Sequence, residues 1–264
     1  MPGSRGGRRV GALLAWLALL ALPGAGGAET RLQPTAEVGP DLRLVVRNTG
    51  DEAAHAVAPR LVYQHRTATG DGVTLDAGTL HEWRFPLPPP PGRGTFPATV
   101  RVDYADPSGR VGSVPLVVLV PAAGTGSSSI RASLEVGPLA GIANGKLVLD
   151  NASSHPVAGR VVFVLPGGMS TEPESLPAQV APGGRTIVPV GIQGHGTVPP
   201  GAHRIYAVFE YAEGGEHVTI VAPAELAAIA GRGPRERPLL VGLGALGITF
   251  ALLAVAWRRA ARRV

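Results

Sequence analysis

The tetrapeptide Glu-Val-Gly-Pro occurs twice, opening at Glu37 and at Glu135, and the residues after each copy match in order at a spacing of about 100 residues. EVGPDLRLVVRNTGDEAAHAVAPRLVY is answered by EVGPLAGIANGKLVLDNASSHPVAGRVVF. Asn48 is thereby set against Asn151, His55 against His155, Arg60 against Arg160 and Tyr63 against Phe163. Further on, ATVRVDYAD from Ala98 is answered by IYAVFEYAE from Ile205, which sets Tyr104 against Tyr211. An ordered series of matches separated by small insertions is the mark of a duplicated module, because insertions concentrate in surface loops. The chain must therefore build one fold twice, with 122–129 (AAGTGSSS) as a short linker between the copies.

Each copy reads as all-β. Leu42, Leu44 and Val46 alternate with polar or smaller neighbours, and Asn48-Thr49-Gly50-Asp51 then supplies turn chemistry. Further strands are predicted at 58–65, 80–87, 96–104 and 111–120. In the second copy they fall at 145–150, 159–165, 185–190, 202–211 and 216–222, separated by Gly and Pro clusters such as Ala181-Pro182-Gly183-Gly184. Many short strands punctuated in this way favour a two-sheet sandwich over a βαβ fold. The stretch Pro86 to Pro91 belongs to an edge or loop, and the residues from Glu225 to Ile229 read as a turn or two of helix.

Outside the modules lie two apolar segments. Met1 to Arg9 carries three arginines and no acid, Val10 to Leu22 is mostly apolar, and small residues follow to Ala28, as in a secretory signal cut there or after Ala25. Leu239 to Trp257 holds nineteen residues without a charge. At 1.5 Å per residue a helix of that length spans roughly 28 Å, close to the hydrocarbon thickness of a bilayer. Arg258, Arg259, Arg262 and Arg263 follow at once, a basic stop that belongs on the cytoplasmic side and meets anionic lipid. The expected organisation is a signal at 1–28, a first sandwich at 29–122, a linker at 123–129 and a second sandwich at 130–224. A juxtamembrane segment at 225–238, a membrane helix at 239–257 and a cytoplasmic tail at 258–264 complete it. The expected location is the cell membrane, with a single pass, the N-terminus outside and the C-terminus inside.

The formal net charge of +5 suggests a basic protein, but seven arginines of the n-region and tail produce it. Without them 17 basic residues face 19 acidic ones, which removes the electrostatic basis for nucleic-acid binding. The chain has no cysteine, so disulfides, thiol catalysis and thiolate metal sites are excluded. Its seven histidines form no H-E-x-x-H or similar metal spacing, no G-x-S-x-G elbow is present, and the glycine-rich stretches lack the Lys-Ser/Thr pair of a phosphate loop. No cofactor, metal or catalytic set is expected. Asn48, Gly50 and Asn151 are assigned to structural turns. Tyr63 and Trp83 are the only notable aromatic candidates for ligand contact, with core packing as the competing role.

LRLVVRNTGDEAAHAV, the turn at Leu75-Asp76-Ala77-Gly78, Pro91-Gly92 and TVRVDY together resemble the bacterial immunoglobulin-like adhesion modules CARDB, NEW3 and DUF11. The second copy resembles them through KLVLDNASSHPV and YAVFEY, although Ala-Ser-Ser follows Asn151 where glycine is the family pattern. The resemblance implies two tandem immunoglobulin-like β-sandwiches without catalysis of their own. They would act as spacers or as modules that bind an envelope or membrane protein or a carbohydrate, or as a non-catalytic subunit of an envelope enzyme or transport complex.

Overall fold

A computed structural model describes residues 29–124, 128–196 and 198–229. The signal and membrane-helix readings fall outside these residues. Among the described residues no helix is long and apolar enough to cross a membrane.

The first copy supplies β1 (Leu32–Val38), β2 (Asp41–Asn48), β3 (Ala54–Tyr63), β4 (Arg66–Thr69), β5 (Val73–Leu75), β6 (Leu80–Pro86), β7 (Thr95–Ala105) and β8 (Val111–Pro121). The second supplies β9 (Ile130–Val136), β10 (Ile142–Asn151), β11 (Val157–Val164), β12 (Met169–Thr171), β13 (Ser175–Val180), β14 (Arg185–Gly194), β15 (Gly201–Glu213) and β16 (Glu216–Ala228). All strand pairs are antiparallel. The sheets run β1-β2-β6 and β4-β3-β7-β8, with β5 also on β3, then β12-β14-β10-β9 and β13-β11-β15-β16. Matching β1 to β9, β2 to β10, β3 to β11, β5 to β13, β6 to β14, β7 to β15 and β8 to β16 superposes the two pairing schemes. The strand order is that of an immunoglobulin-like sandwich, built twice.

Alternation drives both sandwiches. Leu42, Leu44 and Val46 are fully buried, while the other face carries the exposed Asp41, Arg43 and Arg47 with the half-buried Val45, so the core face of β2 is the wholly apolar one. With Val57, Val100, Val102 and Phe85 they form the first core. Leu147, Leu149, Ile192, Ile205, Phe209 and Leu226 centre the second, and the two clusters share no residue.

Two expectations need correction. Glu225 to Ala228 are strand, not helix: β16 stays paired to β15 as far as Ala228 opposite Gly201, and Leu226 and Ala228 enter the second core. Packing of Leu226 against the sandwich overrides the helix propensity of AELAA. The second difference concerns the equivalences between the copies. Ala58, not Arg60, matches Arg160, because they lie opposite Asp103 and Glu210 respectively. A bulge between Ala54 and Val57, where Ala56 has φ 50°, gives β3 one residue that β11 lacks, whereas the sequence match sets the copies two residues out at Arg60. His55 is likewise not the counterpart of His155. The backbone position of His155 is taken by Glu52, four residues beyond its asparagine in each case.

Candidate functional site

Asn48 and Asn151 end β2 and β10 and are among the few buried polar residues, at 0% and 3% exposure. The Asn48 amide donates to the carbonyls of Glu52 (2.7 Å) and Leu75 (3.0 Å), and its Oδ1 accepts the Gly50 N–H at 3.0 Å. Asn151 donates to His155 (2.8 Å) and Ala181 (3.1 Å), while its Oδ1 accepts from the Ser153 backbone and hydroxyl. One side chain thus joins a strand end, the following turn and the end of β5 or β13. Gly50 has a separate duty, since a Cβ there would run into the Glu29 carbonyl, where the incoming chain is bonded through Thr49 and Asp51. In the second copy the entering chain bonds Ala152 through Ser129, and Ser153 takes the place of glycine.

Tyr63 and Trp83 are both placed in the first core, at 2% and 7% exposure. The Trp83 indole N–H donates to the Asp71 carbonyl at 3.1 Å, and His81 meets the ring edge-on at 4.5 Å. Neither ring offers a face to a ligand, so the coplanar pair that a sugar platform needs is not formed by these two residues.

The residues with most to do at long range sit where the sandwiches meet. The Arg93 carbonyl accepts the His217 N–H at 2.9 Å, the Thr219 hydroxyl donates to the Thr95 carbonyl at 2.8 Å, and the Thr95 hydroxyl accepts the Thr219 N–H at 3.2 Å. The rings of Phe96 and His217 lie parallel, 4.5 Å apart, and His217 Nε2 is 3.1 Å from Glu210. Gly94 has φ +109° and packs on the His217 backbone, leaving no room for a Cβ. Arg93 pairs with Glu216 at 3.0 Å beside them. The linker is held at both described ends: Ala122 N–H donates to the Gly94 carbonyl at 2.7 Å, and the Ser128 hydroxyl lies 2.8 Å from the Tyr211 hydroxyl. Sequence reasoning missed this seam because its halves, such as Thr95 and Thr219, lie 124 residues apart and GRGTF reads as an ordinary loop.

A cleft opens on either side. The larger, about 520 Å³, is walled by Glu29, Arg31, Tyr104, Asp106 and Arg110 of the first sandwich and by Pro199, His203, Arg204 and Glu225 of the second. Its charges come in pairs, Arg31 with Glu29 at 3.0 Å, Arg110 with Asp106 at 3.1 Å and Arg204 with Glu225 at 3.9 Å. The Ser108 hydroxyl, donating at 2.6 Å, and then the backbone and guanidinium of Arg110 hold Asp106 below the usual carboxylate range. Burial pushes the Tyr104 hydroxyl up, and Glu29 and Asp106 add to the effect. Gly112 lets the Tyr104 ring lie flat on β8. The second cleft, about 440 Å³, is more apolar, with Val62 and Thr99 facing Val162, Leu165 and Met169, and Arg60, Arg101 and Glu174 among its lining residues. Among the described residues no three His, Asp or Glu gather as a metal site. The arrangement offers paired charges on one side and a mixed cleft of valine, leucine and methionine with arginine and glutamate on the other.

No family model and no curated protein matches this chain. Among solved structures it is similar to a Salmonella alpha-2-macroglobulin, at 15% identity over 77% of this chain with a TM-score of 0.33. It is also similar to the YadV chaperone, at 12% identity, 73% of this chain, 99% of that chain and a TM-score of 0.33. The E. coli chaperone DraB gives 14% identity, 75% of this chain, 99% of that chain and a TM-score of 0.30. The chain spans 16% of the length of the macroglobulin. None of these places the chain in a family, and its functional reading rests on its own geometry.

Proposed function

We propose that this chain is a non-catalytic, membrane-anchored envelope protein whose paired sandwiches hold a protein partner at the junction between them. The observation that carries the reading is the seam: Thr95, Phe96, His217 and Thr219 fix the angle between two separately cored units, so that both contribute walls to one charged cleft. A pair of spacers strung on a flexible linker has no need of such a junction. The anchor rests on the charge-free run from Leu239 to Trp257 and the arginines after it. The adhesion-module resemblance of the sequence agrees with a binding role. The carbohydrate alternative is disfavoured by the burial of Tyr63 and Trp83.

In-cell crosslinking of the full-length chain, followed by mass spectrometry, tests this. Recovery of one envelope protein, crosslinked to cleft residues and reduced at least several-fold by the double charge reversal Arg31→Glu with Arg204→Glu, is the expected result. Retention of envelope polysaccharide with no protein crosslinked would sink it.

A further inference from the structure

A sheet edge exposes unpaired N–H and C=O groups, and a chain with four sheets must shut its edges or use them. This chain shuts most of them with proline. Pro34 in β1, Pro115 in β8, Pro177 in β13, Pro189 in β14 and Pro223 in β16 each fall at a register position that exchanges no ladder bond with the neighbouring strand. The missing N–H therefore faces away from the paired strand, where an added strand would need it, and at Pro115 that side is itself buried. β14 is further covered by β12 over Ile192 to Gly194, and β9 packs against β16. β4 and β5 are only four and three residues long.

β6 is the exception. It pairs with β2 on one side, and its sole proline is its last residue, Pro86. The bond from Asn48 N–H to the Thr79 carbonyl sets the alternation: His81, Trp83 and Phe85 bond β2, while Leu80, Glu82 and Arg84 direct their backbone groups outward. Among the described residues nothing pairs with that side. The contrast with the second sandwich is residue for residue. Leu44 faces Trp83 and Leu147 faces Val188, so Arg84 stands where the other copy has Pro189.

We infer that the open edge of β6 pairs with β6 of a second copy of this chain, antiparallel about a two-fold axis at Trp83. The charges select this occupant and register. Glu82, which within its own chain meets Arg43 at 2.8 Å and Arg84 at 2.9 Å, falls opposite Arg84 of the partner subunit, and Arg84 opposite Glu82 of the partner subunit, so the two networks join into opposite-charge pairs across the new ladder. Moving the axis by one residue sets Glu82 against Glu82, which repels. Leu80, 49% exposed in the single chain, comes to lie against Pro86 of the partner subunit. The two β1-β2-β6 sheets become one continuous six-stranded sheet with isologous symmetry. The dimer is independent of the cleft reading, and either can fail alone.

The chain has no cysteine of its own, so introduced thiols report cleanly. Two differently tagged full-length chains, one Glu82→Cys and the other Arg84→Cys, are co-expressed in the membrane and oxidised. The expected result is a disulfide-linked heterodimer, at least several-fold above a pair carrying Arg185→Cys on both chains. In mild detergent the native chain runs as a dimer, Arg84→Pro runs as a monomer because it copies the device of Pro189, and Arg84→Glu weakens the dimer at least tenfold. Glu82→Arg combined with Arg84→Glu restores it, an outcome that misfolding cannot imitate. A monomeric native chain, a dimer indifferent to Arg84→Pro, or an edge that crosslinks only to other proteins would each overturn the inference.

Discussion

At the scale of single residues, each of the two asparagines ties three segments of its sandwich together through one side chain. Removing the Asn48 amide leaves the buried Leu75 carbonyl and the half-buried Glu52 carbonyl without its donor. Asn48→Ala is expected to cost about 3 kcal/mol, and Asn151→Ala a similar amount, since orphaned buried polar groups carry most of such a loss. Chemical denaturation of the full chain in detergent measures both. The turn role of these residues was legible from Asn-Thr-Gly-Asp, because an Asx turn is local. The reach of the amides to carbonyls 27 and 30 residues away was not, since nothing in the sequence marks Leu75 or Ala181 as an acceptor. Asp106 gives a pH signature. Its carboxyl lies below its ordinary value because Ser108 and Arg110 bond the charged form. Its hold on the turn is therefore complete above the ordinary aspartate pKa, about 3.9, and is lost as pH falls through the lower folded value. Protection of the Arg110 amide against exchange, corrected for the free-chain rate, is expected to persist at pH 5 and to vanish in stronger acid. In Asp106→Asn that acid-dependent step is absent.

At the scale of elements, the strands that could be read were those with a full apolar face. β2, β7 and β8 show it plainly. β1 was missed because Pro34 interrupts its run and the residues that follow Leu32 on the inward face are the small Ala36 and then Val38 at the strand's end. β9 was missed although Ile130, Ala132, Leu134 and Val136 alternate with Arg131, Ser133 and Glu135, because the small Ala132 and Ser133 read as a continuation of the serine-rich linker before them. The end of β16 was misread for the opposite reason: alanines favour helix when nothing else is known, and the pairing that decides the matter comes from β15. The seam belongs to this scale, being a bond between the start of β7 and the start of β16. Thr219→Val keeps the shape, 4% exposed, but removes the hydroxyl bonded to the Thr95 carbonyl. The expected loss is about 1–2 kcal/mol, and it should appear as freer motion between the sandwiches, read by distance distributions from paired spin labels, with both cores unchanged.

At the scale of the molecule, the duplication was visible while its exact register was not. The match of Tyr104 to Tyr211 holds, but that of Arg60 to Arg160 is two residues out, and the one-residue bulge at Ala56 between them has no reliable signature in a run such as AHAVAPR. What the sequence does supply for the whole chain is direction: signal-like start, two sandwiches, apolar run, arginines. For that organisation, protease added to intact spheroplasts is expected to cut at accessible sites in 29–229, leaving the tail after Trp257 protected until the membrane is opened. A tail cleaved in intact spheroplasts would reverse the proposed topology.

The close of β16 bears on how such a chain carries load. Leu139 donates its N–H to the Ala227 carbonyl at 2.8 Å and accepts the Ile229 N–H at 3.0 Å, so the last strand leaves the sandwich through a parallel clamp. Behind the clamp lie thirteen residues of ladder with β15. A pull on Ile229 along the strand axis loads all of those bonds in shear at once, while the clamp keeps them from being peeled one by one. Mechanical strength is thus concentrated at the end of β16, and under tension the first sandwich, held to the second by a few hydrogen bonds and the Phe96–His217 stack, would swing away long before β16 tore free.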